Sequence, residues 1–93
     1  MNITRINEFV AKTELGNRLQ DLLLSFVSEI KSSKGCQTCQ LIRSLENPDK
    51  ILIIEVWDSQ EDHQAAVDNI QGDDIVRVME LLASPPKGEF FSP

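Results

Sequence analysis

The stretch "KGCQTCQLIRSLE" (34–46) holds both cysteines of the chain in a C-x-x-C spacing. That spacing suits a redox couple or half of a zinc site. A thioredoxin-like pair opens a helix, whose dipole lowers the thiol pKa. Here the pair follows a helical stretch and opens an extended one. Side chains three apart in a regular strand point to opposite faces, so Cys36 and Cys39 are expected to diverge. Zinc would need two further ligands, and the chain has one His and no other Cys. The pair is expected to pack, not to react.

Five other residues could carry chemistry. His63, the sole histidine, shares helical spacing with Ala66, Val67 and Ile70, and a neutral imidazole there could act as a base or simply pack. Trp57 ends the most apolar strand, where an indole could wall a planar substrate or fill the core. Glu55 sits among Ile51, Ile53 and Trp57, and a carboxylate in such company needs a partner or a role. Arg43 on the neighbouring strand is the expected ion-pair partner. Asn7 could orient a ligand through its amide.

Other chemistries lack their residues. There is no phosphate-binding glycine loop, no Ser-His-Asp spacing and no histidine cluster for a metal. The net charge is -6 with nine scattered basic residues, which argues against a nucleic-acid partner. No apolar run approaches the roughly 20 residues of a membrane helix, and "MNITRINEFV" has no signal-peptide pattern. A cytoplasmic location is the expectation.

The elements that position these residues follow from periodicity. Residues 2–12 read as a strand. In 13–33, Leu15, Leu19, Leu22, Leu23, Phe26, Val27 and Ile30 form one apolar helical stripe, with Thr13 as N-cap and Gly35 as stop. Residues 36–46 and 50–58 read as a hairpin around "NPD". "SQED" is a capping box for a helix over 60–70. Gly72 breaks that helix, 73–83 supplies another, and 88–92 a last short strand. The order β-α-β-β-α(α)-β predicts an α+β, ferredoxin-like fold, with a four-stranded antiparallel sheet and its helices on one face. Ninety-three residues make a single domain, 1–93.

Both faces of the central hairpin carry apolar groups, although helices cover only one. Ile51, Ile53, Glu55 and Trp57 point opposite to Leu52, Ile54 and Val56. Gln37, Cys39, Leu41, Arg43 and Leu45 share a face of the partner strand. The expectation places the Ile51–Trp57 set, with Leu41 and Leu45, on the open side. Monomers rarely leave such a patch wet, so a homodimer packed sheet to sheet is expected. Part of that face could also line a cavity for an apolar ligand, with Asn7, Arg43 and Glu55 as its polar exceptions.

The segment "KGCQTCQLIRSLENPDKILIIEVWDSQEDHQAA" resembles the hairpin-and-helix core of antibiotic-biosynthesis-monooxygenase (ABM) domains. Their pattern of Gly-Cys, strand, Pro-Asp turn and Glu-x-Trp-x-Ser before a helix is met by Gly35-Cys36, Pro48-Asp49, and Glu55, Trp57 and Ser59. "MELLASPPKGEFF" is similar to the family's ending. The resemblance implies a dimeric α/β barrel with a pocket between sheet and helices. It further implies cofactor-independent monooxygenation of a small aromatic or quinol-like substrate, which itself supplies the electrons. Asn7 and Trp57 would then bind and His63 would be the base; Glu55 and Arg43, the polar exceptions of the cavity face, are expected as further binding residues from the strand reading. Many members carry their histidine at the position of Ala66, and some also one turn earlier, at that of His63. The family also includes haem-degrading enzymes and proteins without established activity, so haem degradation and a non-enzymatic binding or assembly module are the alternatives.

Overall fold

The computed structural model describes residues 2–93. Its elements are β1 (Ile3–Val10), α1 (Gly16–Lys31), β2 (Cys36–Arg43), β3 (Lys50–Trp57), α2 (Gln60–Asp68), α3 (Gly72–Leu81) and β4 (Lys87–Phe91). The strands form one antiparallel sheet in the order β2-β3-β1-β4, the ferredoxin-like arrangement expected from the sequence.

Local chemistry sets most boundaries. Ser59 caps α2 by accepting from the Asp62 amide at 3.1 Å, and Glu61 and Asp62 complement the positive end of that helix. Thr13 does not cap α1. The Leu15 amide bonds the Lys12 carbonyl at 2.9 Å and Glu14 takes φ 70°, so a tight turn occupies 12–15 and the helix starts after it. Gly72 does not break a helix but opens α3; α2 has already ended at Asp68. The first hairpin strand stops at Arg43, because Ser44 and Asn47 side chains tie up the turn amides of Asn47 and Asp49. Leu45, expected on a sheet face, is fully exposed.

Leu19, Leu23, Phe26 and Val27 of α1 pack on Cys39, Ile51 and Ile53, joined by Ala11, Val78 and Leu82. The helix stripe expected from the sequence is thus the core-facing one. The face it covers is the opposite of the one expected. Ile51, Ile53, Glu55 and Trp57 are all at most 3% exposed and lie under the helices, while Leu52, Ile54 and Val56 are only partly buried on the open side. Period-two alternation separates the faces but cannot name the covered one when both are apolar. The open face still carries an apolar stripe, Ile6, Leu52, Ile54 and Val56, with Ile42 and Phe91 exposed at its sides.

Candidate functional site

Strand register brings the polar groups together. Cys39 pairs with Glu55, Glu55 with Arg5, and Arg5 with Phe90, one row across all four strands. The next row runs Leu41, Ile53, Asn7 and Gly88. Both rows face the helices. Between them and α1, α2 and α3 lies a cavity of about 350 Å³. Its walls are mostly apolar, with Phe26, Ile30, Ile70 and Val78 among them; the polar groups lining it are Arg5, Asn7, Glu55, His63 and Gln64.

Glu55 is the hub. The Trp57 Nε1–H donates to its Oε1 at 2.7 Å, and the Asn7 amide donates to its Oε2 at 2.8 Å. The Asn7 amide cannot flip, because its Oδ1 accepts from the Arg5 Nε–H at 3.0 Å and a guanidinium has no acceptor to offer. Both carboxylate oxygens therefore meet obligate donors. Burial still pushes the Glu55 pKa above the usual carboxylate range, and the Trp57 bond, the Arg5 charge and the Asn7 bond oppose it.

His63 stands at the same carboxylate. Its Nε2 is 4.0 Å from Glu55 Oε1, too long for a hydrogen bond but close enough for the anion to stabilise an imidazolium. The ring meets Trp57 edge-on at 5.5 Å and Phe90 edge-on at 5.0 Å. Burial, and then the Arg5 charge, lower its pKa, so the imidazole is neutral at pH 7. A neutral, oriented imidazole beside a buried carboxylate can accept a proton from a bound molecule.

The structure sorts the sequence-derived residues. Asn7, Glu55, Trp57 and His63 meet around the cavity. Trp57 is fully buried and lines the cavity with its polar atom spent on Glu55, so it positions the carboxylate. Arg43 is elsewhere. Its guanidinium bonds the Asn17 and Gln20 side chains of α1, at 2.7 and 3.2 Å, and the Pro48 carbonyl; it staples the hairpin to the helix and does not pair with Glu55.

The cysteines also depart from expectation. A β-bulge between Cys36 and Thr38 inserts one residue, so Cys36 pairs with Trp57 and Cys39 with Glu55, both on the helix side. Both are free thiols. Burial and the Glu55 charge push Cys39 up to about 12 and raise Cys36, which leaves protonated, weakly nucleophilic packing groups.

Arg5, Phe90 and Gly88 were not singled out in the sequence. Arg5 has the same parity as Asn7 and Phe9 along β1, a signal that was available. Phe90 and Gly88 needed the β1–β4 register, which no local pattern specifies. Among the described residues no group of three or more His, Cys, Asp or Glu could hold a metal ion, and no helix is long and apolar enough to cross a membrane.

Comparison with known proteins decides the family. The description "Antibiotic biosynthesis monooxygenase" matches residues 2–77, well over half of the chain. The chain belongs to the ABM family. A candidate antibiotic biosynthesis monooxygenase from Chloroflexus aurantiacus J-10-fl is 26% identical, with 100% of this chain and 93% of that one covered at a TM-score of 0.83. A conserved protein from Methanosarcina mazei Go1 superposes at 0.88 with 17% identity, covering 98% and 91%. A mutant of SnoaB, a cofactor-independent oxygenase from Streptomyces nogalater, superposes at 0.83 with 14% identity, covering 99% and 92%. No curated protein sequence matches. The ABM match ends before β4, so Gly88 and Phe90 lie outside the matched span.

Proposed function

We propose that this ABM protein is a cofactor-independent monooxygenase acting on a small aromatic or quinol-like substrate held in the cavity between sheet and helices. The observation that carries the reading is the connected set Arg5–Asn7–Glu55–Trp57 with His63 at its edge, placed in an otherwise apolar cavity. About 350 Å³ is at the small end of ligand pockets and suits one fused-ring aromatic or less. The Chloroflexus relative and SnoaB support the reaction class.

In the proposed reaction neutral His63 takes the proton of a phenolic hydroxyl, and the Glu55 carboxylate stabilises the imidazolium that forms. The phenolate is electron-rich and reacts directly with dioxygen. One oxygen atom ends as a carbonyl at a ring carbon that carried hydrogen, para to the hydroxyl in a monophenol and ortho to one in a quinol. The other leaves as water with the two hydrogens lost, one from the hydroxyl and one from the ring carbon. The substrate is oxidised by two electrons through their loss with those hydrogens and by two more through oxygen insertion, so dioxygen is the oxidant and no other reductant enters. Asn7 and Trp57 hold Glu55 in place, and Asn7 also fixes Arg5.

The active species is proposed to be a homodimer joined through the open sheet face, where Ile6, Leu52, Ile54 and Val56 would otherwise meet water. Oxygen uptake over a panel of hydroxynaphthalenes and quinols tests the reading. Turnover that falls about 10²–10⁴-fold in His63→Asn supports it. No uptake with any member, or unchanged rates in the variant, would reject it.

A further inference from the structure

The cavity wall holds one cation whose binding capacity the protein does not use. Arg5 is fixed from two sides: its Nε–H donates to Asn7 at 3.0 Å, and its guanidinium carbon lies 4.6 Å from the Phe90 ring centroid. Its room is provided by Gly88, since a Cβ there would collide with the guanidinium and lie 2.9 Å from Asn7 Oδ1. Among the described residues Arg5 makes no ion pair, and no acceptor meets its two terminal nitrogens. Glu55, whose charge Arg5 feels, already accepts from Trp57 and Asn7 and forms no ion pair with it. Four N–H donors in a planar fork thus line an apolar cavity without a protein acceptor.

We propose that Arg5 is an oxyanion receptor, and that the ligand of this cavity is a planar aromatic carrying an oxyanion, a carboxylate or an ionised hydroxyl, that docks on its fork. An oxyanion is the group that satisfies a guanidinium in two parallel bonds. The aromatic body follows from the apolar walls, Phe9 and Phe26 among them. Arg5 and His63 line the same cavity, so a ligand anchored on Arg5 shares it with His63. The inference deepens the proposed monooxygenase reading, because it names the charge of the substrate, but it concerns binding and needs no turnover.

Isothermal titration under nitrogen tests it with 1-naphthoate, 1-naphthamide and 1-naphthol, the last at pH values on both sides of its own ionisation. The wild type is expected to bind naphthoate, or naphtholate above that ionisation, at least about tenfold more tightly than the neutral amide. Arg5→Gln should remove that preference and leave amide binding intact, which also reports that the variant is folded; Arg5→Lys should restore part of it. Which anion binds better distinguishes a carboxylate from a phenolate as the docking group. Equal affinity for anion and amide in the wild type, or an anion preference that survives in Arg5→Gln, overturns the proposal. Absence of oxygen uptake with 1-naphthol, whose para carbon carries hydrogen, although it binds Arg5-dependently, would reject the proposed reaction and leave the receptor in place.

Discussion

Replacing Glu55 with Gln tests whether the buried carboxylate organises the site. The side chain is 3% exposed, and its oxygens accept from Trp57 at 2.7 Å and Asn7 at 2.8 Å. Glutamine offers one acceptor and one NH₂, so whichever way it turns, an N–H faces an N–H. Flipping Asn7 only moves the conflict to the Arg5 Nε–H. One buried donor is left unpaired, at a cost of about 1–3 kcal/mol. The opposing term is the burial cost of the charge, which the raised Glu55 pKa records. Because the folded pKa lies above the unfolded one, Glu55 contributes most to stability below the unfolded value, about 4.3, and this contribution is lost as pH rises through the folded value. Glu55→Gln lacks that loss, so its destabilisation should be largest in acid and shrink toward neutrality.

The charged or titratable groups beside Glu55 in the cavity are Arg5 and His63. Comparing the two proteins in a His63→Asn background removes the second titration. Urea unfolding from pH 4 to 8 gives the two curves. For a chain of this length about 1 kcal/mol moves Tm by about 4–8 °C, so thermal scans can check the result. A destabilisation that is constant, or that grows with pH, would refute the reasoning.

Gly88→Ala should push the Arg5 fork out of position and destabilise by about 1–3 kcal/mol, with anion binding lost before neutral binding in the naphthyl titrations. His63 has a folded pKa below its ordinary 6.5, so turnover should stay level from pH 8 to about 6.5 and fall only in more acid solution; a fall that begins above pH 7 would exclude neutral His63 as the base. Ile54→Glu on the open face should convert a sedimenting dimer to 10.5 kDa monomers at micromolar concentration, whereas a monomeric wild type would end the dimer proposal. A haem titration followed by absorbance should leave the Soret band unshifted, and a saturable shift would favour the haem-degrading alternative.

The fold was legible because local and tertiary signals agree. The α1 stripe, the β3 run and the Ser59 capping box each stand where the sequence puts them, and so does the β-α-β-β-α-α-β order. What the sequence hid depends on register and on choices between equivalent faces. Ile51, Ile53 and Trp57 look as open or as covered as Leu52, Ile54 and Val56 until α1 is placed. The divergence of Cys36 and Cys39 held only for a regular strand, and the bulge at Gln37 cancels it. Arg43 and Glu55 sit on neighbouring strands, but Arg43 pairs across from Ile51, four residue pairs from Glu55 along the ladder, and turns to α1. Asn7, Glu55, Trp57 and His63 were found by residue type. Arg5 shares the parity of Asn7 along β1 and was open to the same reading, whereas Phe90 emerges only once β4 is laid beside β1.

The most direct test of the proposed chemistry is single turnover under isotopically labelled dioxygen with the best-bound hydroxyaromatic. One labelled oxygen in the product carbonyl and one in water, formed without added metal, flavin or haem and lost in His63→Asn, is the predicted result. Product without label, or labelled product at an unchanged rate in the variant, would contradict it.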